Sequence, residues 1–176
     1  MTVMNASGNL INPFDLKKRD FDPRIIGQTL SRTCRFWGQT SEFYSVAQHC
    51  LVMESLFDDL ELKKWAMGHE LFEGLTGMDV PSPIKHSPAM EAYRVAENKC
   101  LDMFADIYSL SSPTPKAIKV ADKRLMVTEA LRFMNGNNYD WTQLAQPYSL
   151  SIIGKPLSMK EAEIAFLSKW YELFDR

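Results

Sequence analysis

Apolar side chains recur every three or four residues along most of the chain, which is the spacing that places them on one face of an α-helix. Residues 45–57, for example, place Val46, Cys50 and Met53 on one helical face. The pattern predicts helices over residues 24–34, 45–57, 60–73, 89–104 and 116–134, and a last helix that begins after Ser158.

Residues that start or end helices separate these segments. Pro23 stands at a helix-start position, Gly74 and Gly77 follow the third predicted helix, and Ser158 and Glu161 form a capping box. Residues 141–156 fit either a short strand or an extended packing loop, and the sequence has no series of alternating strands. The sequence therefore predicts an all-α fold in which residues 1–176 form one compact helical domain.

Composition and charge narrow the functional class. The 176 residues fit one domain, the net charge is −2, and no lysine or arginine block gives an electrostatic footprint for nucleic acid. No apolar run reaches the roughly 18 residues of a membrane span, and the N-terminus lacks the pattern of a secretion signal. The three cysteines contain no CxxC pair, which argues against a disulfide framework. We therefore expect a cytoplasmic protein that binds neither nucleic acid nor membranes.

Two histidines and their acidic neighbours form the candidate chemistry. His69 and Glu73 are four residues apart and share a helix face, and His49 lies in the preceding predicted helix. Glu70 lies about 100° further round the helix and reaches the same cavity only if a metal lies between. Asp122 sits among apolar residues of the 116–134 helix, where a carboxylate is costly unless it is paired or bound to a metal.

Two imidazoles with one or two carboxylates suit a divalent first-row metal such as Zn, Co, Mn or Fe. Such a metal would activate a water molecule, and Glu73 is placed to order that water or to shuttle a proton. A single helical histidine is more often a core or surface residue than a metal ligand. Spacing alone therefore leaves open a non-catalytic helical binding protein with a relic pocket.

Four ordered blocks resemble a known family. The order His49, His69-Glu70, Asp122 resembles the H…HD…D signature of the HD-domain metal-dependent phosphohydrolases. The run HELFEGLTGMDVPSPIK resembles a block of the bacterial 5′-deoxynucleotidases and their phage relatives. LSRTCRFWGQTSEFYSVAQHC and ADKRLMVTEA resemble the segments that flank that block. The similarity covers most of residues 5–135, and the layout is most similar to the phage dATP triphosphohydrolases.

The resemblance implies an HD-domain helical bundle that assembles as a homo-oligomer and acts on a deoxynucleotide, in the host cytoplasm if the gene belongs to a phage. One divalent metal, Zn, Co or Mn, would be held by the following residues: His49, His69, Glu70 and Asp122. A second divalent ion would accompany the substrate phosphates. The implied activity is hydrolysis of a dNTP, with dATP foremost, to a deoxynucleoside and triphosphate. A 5′-deoxynucleotidase that releases phosphate from dNMPs is the alternative.

The resemblance also suggests roles for residues around the metal. Arg35, Lys85 and Lys116 would contact phosphate, whereas Phe36 and Trp37 would wall a sugar or base pocket. Without the resemblance, a surface ion pair explains Arg35 equally well, and core packing explains the two aromatic residues.

The resemblance also implies two catalytic roles, and the sequence departs from the family pattern at two positions. Glu73 would assist proton transfer, and Asp79 would contact the sugar 3′-hydroxyl or assist catalysis, unless it serves as a turn residue. Glu70 stands where the family has aspartate, and Met78 makes the segment between Glu73 and Asp79 one residue longer.

Overall fold

The structure of the protein, a computed structural model, describes residues 1–136 and 138–175. These residues form eight α-helices and one small pair of β-strands. In chain order the elements are strands β1 (Val3–Met4) and β2 (Leu10–Ile11), then helices α1 (Pro23–Arg32), α2 (Val46–Ser55), α3 (Leu60–Gly68), α4 (Leu71–Thr76), α5 (Ser82–Lys85), α6 (Glu91–Tyr108), α7 (Lys116–Phe133) and α8 (Met159–Phe174). The fold is compact and mostly helical, which confirms the predicted all-α class.

Helix α1 packs against α4 and α8, while α2 packs against α3 and α8. Their apolar faces form one main core, in which Leu30, Met53, Trp65 and Phe166 are almost completely buried. Burial of one such side chain contributes about 1.5–3 kcal/mol relative to an exposed one. The core therefore fixes the relative positions of the helices from which the polar side chains described below project.

Side-chain caps explain where several helices begin. Asp22 accepts from the amide of Arg24 at the start of α1, and Ser45 accepts from the amide of Gln48 at the start of α2. The predicted capping box of Ser158 and Glu161 is confirmed at the start of α8. The helix starts are therefore largely set by local sequence.

The structure corrects the single helix predicted over residues 60–73, because α3 ends at Gly68 and α4 begins only at Leu71. His69 Nδ1 donates to the carbonyl oxygen of Ala66 at 2.7 Å. In a continuous helix that carbonyl would accept from the amide of Glu70. Glu70 instead has φ −101° and ψ 21°, so the chain turns between α3 and α4.

Smaller differences concern the ends of two helices and the structure of two short segments. The α1 helix ends at Arg32 rather than at residue 34, and α6 extends to Tyr108. The short strand considered for residues 141–156 is wrong: this segment holds 3₁₀ turns at Trp141–Gln143 and Leu150–Ile152. Sequence analysis also missed the small antiparallel β1–β2 hairpin. Within the described residues, no helix combines the length and apolarity that crossing a membrane requires.

The close approach of α3 to α6 at Gly68 gives a first prediction. A Cβ atom at residue 68 would lie 2.2 Å from a ring carbon of Phe104, a side chain fully buried in the core. We expect Gly68→Ala to destabilise the protein by about 1–3 kcal/mol or more through overpacking, measured by urea denaturation. In a Phe104→Leu protein, whose side chain at residue 104 is smaller, the cost of Gly68→Ala should be lower. An equal cost in both backgrounds would contradict this explanation.

Candidate metal centre

Four side chains converge where α2, the α3–α4 turn and α7 meet. His49 comes from α2, His69 and Glu70 from the turn, and Asp122 from α7. One ligand atom from each of the four lies within 4.8 Å of all the others. The adjacent residues His69 and Glu70 both reach this cluster from the break between α3 and α4.

The ligand atoms of His49 and His69 lie 3.0–3.9 Å from each other and from those of Glu70 and Asp122, which overlaps the separation of ligands around a metal ion at its shorter end. His49 Nε2 lies 3.0 Å from His69 Nε2 and 3.2 Å from Asp122 Oδ1. Glu70 Oε1 lies 3.9 Å from His49 Nε2 and 3.7 Å from His69 Nε2. Ligands about 2.1 Å from a metal are separated by about 3.4 Å in a tetrahedron and about 3.0 Å in an octahedron. The donor set therefore fits a divalent transition metal.

Burial makes this cluster electrostatically unusual. His49 has no exposed surface, and Glu70 is 9% exposed. Burial and Arg35 oppose protonation of His49, but the carboxylates of Glu129 and Asp122 raise its pKa to about 9. Burial alone would raise the pKa of Glu70, yet the nearby His69 and Arg35 hold that pKa well below its ordinary value. Buried groups with such strong mutual effects are frequent at functional sites.

Glu129 is a member of the site that sequence analysis missed. It has no exposed surface, accepts from His49 Nδ1 at 2.7 Å, and forms an ion pair with Arg35 at 2.9 Å. Burial opposes ionisation of Glu129, but Arg35 and His49 keep its pKa below the ordinary value. The available signal was spacing, because Glu129 follows Asp122 by seven residues, about two helical turns, and so lies on the same face of α7.

The structure brings Arg35 to the cluster, as predicted. Its Nε donates to Glu129 at 3.0 Å, and its Nη1 lies 3.4 Å from Glu70 Oε1. The side chain is only 12% exposed, so the surface ion pair considered as an alternative is wrong. Arg35 therefore places a fixed positive charge between two carboxylates at the floor of the site.

Glu73 and Lys85 form a second layer beside Glu70. Glu73 is 3% exposed, and its Oε1 lies 3.8 Å from Lys85 Nζ. The carboxyl group of Glu73 also shares a side-chain hydrogen bond with Glu70, which lowers the pKa of Glu70 and raises that of Glu73. Burial and the adjacent charge of Glu70 raise the pKa of Glu73 well above its ordinary value. Lys85 also pairs with Glu97 at 2.7 Å, a contact that sequence analysis did not foresee.

Phe36, Trp37 and Asp79 line the edge of the site. Phe36 and Trp37 have φ of 54° and 55°, a left-handed conformation that is strained for residues with bulky side chains. Trp37 is 54% exposed, which excludes core packing, and its indole Nε1 donates to the carbonyl oxygen of Asp79 at 2.8 Å. Burial raises the pKa of Asp79, whereas Arg35 opposes this shift. The two loops that carry these residues are therefore tied together beside the cluster.

Lys116 is the predicted site residue that the structure does not bring to the cluster. It is the exposed first residue of α7 and precedes Asp122 by six residues, about 9 Å along the helix axis. Its predicted contact with phosphate stays a prediction.

The chain is similar in sequence to a curated protein whose name states no reaction. No protein-family model matches the chain. The chain is 32% identical over 114 residues to the uncharacterized protein YfdR of Escherichia coli (strain K12), a match that covers 65% of this chain and 62% of YfdR. The chain thus spans less than two thirds of the length of this curated relative, whose name states no reaction.

Proposed function

We propose that this protein is a metal-dependent phosphohydrolase that acts on deoxynucleotides. The observation that carries the proposal is the convergence of four metal-ligand atoms next to a buried carboxyl group, Glu73. The residues would hold one Zn, Co or Mn ion. Carboxylates outnumber the fixed cations around the histidines, so a divalent cation would reduce the repulsion among them.

The roles of the side chains follow from their positions. When bound, a divalent ion supplies Lewis-acid activation of water and neutralises charge on phosphoryl oxygens. Glu73 lies beside Glu70, and burial together with the Glu70 charge raises its pKa well above the ordinary value, which favours retention of a proton on this carboxyl group. Arg35 and Lys85 offset negative charge beside the cluster, which permits an anionic substrate to approach.

We propose a dNTP, with dATP foremost, as the substrate, cleaved to a deoxynucleoside and triphosphate. This choice rests on the resemblance of the four sequence blocks to the phage dATP triphosphohydrolases. The exposed Trp37 supports it, since its indole, which donates to the carbonyl oxygen of Asp79 at 2.8 Å, offers aromatic surface to a sugar or base.

One observation favours a 5′-deoxynucleotidase as the second candidate. Arg35 is already paired with Glu129 and Glu70, and Lys85 is already paired with Glu97 and Glu73. A triphosphate carries more negative charge than a monophosphate and calls for more cations. Lys116 would have to turn toward the substrate to supply one.

A product assay distinguishes these activities. Purified protein would be incubated with Co²⁺, Mn²⁺, Zn²⁺ or Mg²⁺ and each dNTP, dNMP and matching ribonucleotide, and the products separated by ion-exchange chromatography. We expect deoxyadenosine and triphosphate from dATP, and turnover lower by about a thousandfold in Asp122→Ala. Phosphate from dNMPs alone would establish the second candidate. A protein that binds metal but turns over none of these substrates would overturn the proposed function.

A further inference from the structure

We propose that Glu129 is a positioning residue that holds His49 in the tautomer able to bind metal and, with its second oxygen, locks Arg35 beside the same site. This inference rests on the metal site of the proposed function. It concerns how that site is built and does not depend on which nucleotide is the substrate.

The two oxygens of Glu129 have different partners. Oε1 lies 2.7 Å from His49 Nδ1, whereas Oε2 accepts from Arg35 Nε at 3.0 Å and pairs with Arg35 Nη2 at 2.9 Å. A carboxylate can only accept hydrogen bonds, so the proton must lie on His49 Nδ1. In a neutral imidazole the lone pair is then on Nε2, the atom that faces His69 and Asp122. Glu129 thereby selects the nitrogen that binds metal.

His69 is held in the same tautomer by a different contact. Its Nδ1 donates to the backbone carbonyl of Ala66 at 2.7 Å, which also leaves Nε2 directed toward the cluster. The two histidines therefore present matching nitrogens, one oriented by the main chain and the other by a side chain. Only the second arrangement can be removed by a single substitution.

Stability alone does not explain why the core contains this network. Glu129 and His49 have no exposed surface, and the Arg35 side chain is 12% exposed. Transfer of such charges from water is costly, and a well-packed apolar group of similar volume is often equally stable. Two of the three residues instead link directly to the ligand cluster, His49 as a ligand and Arg35 through Glu70. We therefore infer that the buried Glu129 carboxylate serves to organise the metal site.

A glutamine at residue 129 cannot reproduce both contacts. If its amide oxygen faces His49, its NH₂ group meets the N–H donors of Arg35. If the amide turns round, its NH₂ group meets His49 Nδ1, which must then accept, and the proton moves to Nε2. The second orientation blocks the metal-binding nitrogen, and the first releases Arg35 into a buried site without its partner. Either way the ligand geometry is disturbed while the side-chain volume is preserved.

The test measures Co²⁺ binding by calorimetry and the visible absorption spectrum of the Co²⁺-loaded protein. We expect Glu129→Gln to weaken Co²⁺ affinity by about 10–100-fold and to change the spectrum. Glu54→Gln is the matched control, because Glu54 is also a buried carboxylate but pairs with Lys63 at 3.0 Å. It should retain the parental affinity and spectrum. Circular dichroism and metal-free melting would show that both variants fold.

Parental affinity and spectrum in a folded Glu129→Gln protein would overturn the inference, and so would a parent that binds no Co²⁺. If Glu129→Gln does not fold, Glu129→Asp provides the measurement, since it keeps the charge and both acceptor oxygens at a slightly greater distance. It should fold and bind Co²⁺ more weakly than the parent, and parental affinity would again overturn the inference. Co²⁺ binding without nucleotide turnover would overturn the proposed function but leave the role of Glu129 intact.

Discussion

Replacement of Asp122 by alanine is expected to lower metal-dependent turnover by about a thousandfold while the helical fold persists. Asp122 Oδ1 lies 3.2 Å from His49 Nε2 and completes the ligand group together with His69 and Glu70. Metal activation in phosphoryl chemistry is worth several kcal/mol. A loss of about 4 kcal/mol corresponds to a decrease in rate of about a thousandfold.

The fold should tolerate this change because the Asp122 side chain is 38% exposed and lies on the cluster side of α7. Its removal leaves no sealed cavity in the core. We therefore expect the metal-free melting temperature to stay near that of the parent, whereas the rise in melting temperature on metal addition should disappear. Alanine is also a good helix former, so the backbone of α7 is not penalised.

Val120→Ala is the matched control for this experiment. Val120 lies two residues earlier on the same helix and is 49% exposed. This variant should retain metal binding, the metal-dependent rise in melting temperature and turnover. Undiminished metal binding by Asp122→Ala, measured by calorimetry and metal analysis, would remove Asp122 from the ligand set.

Substitution of Glu73 by glutamine is expected to separate metal binding from turnover. Glu73 is buried beside Glu70 and shares a side-chain hydrogen bond with it. A positioned general acid–base group contributes about 10²–10⁴-fold to a rate. We expect kcat to fall by about that factor, with metal affinity close to that of the parent, because glutamine keeps the volume but not the basic carboxylate.

The comparison with Glu97→Gln shows whether such a loss acts through Lys85. Lys85 lies 2.7 Å from Glu97 and 3.8 Å from Glu73, so both substitutions disturb the position of its ammonium group. If Glu73 transfers a proton, Glu73→Gln should lower kcat much more than Glu97→Gln does. Equal losses in the two variants would instead indicate that Glu73 acts through Lys85. Steady-state kinetics of both variants, with metal content measured in parallel, would decide between these roles.

Local sequence was sufficient to predict the class of fold and most of its helices. Apolar spacing predicted α2, α6 and α7 to within a few residues of each end, and Ser158 with Glu161 marked the start of α8. These features depend on side chains within about one helical turn, which the sequence places together whatever the tertiary packing. The break between α3 and α4 was missed although the contact of His69 with the main chain of Ala66 is also local, because the residue types over 60–73 are all compatible with one continuous helix.

The sequence by itself also determined which residue types could hold a metal, and the order of His49, His69-Glu70 and Asp122 along the chain indicated these four residues as candidates. Only the tertiary structure showed that their ligand atoms converge, because His49 on α2 and Asp122 on α7 meet only when those helices are packed. The same packing brings Arg35 between Glu70 and Glu129, and it leaves Lys116 outside the cluster. Spacing along one helix can indicate a shared face, but the burial and partners of a charge depend on the other helices that cover it.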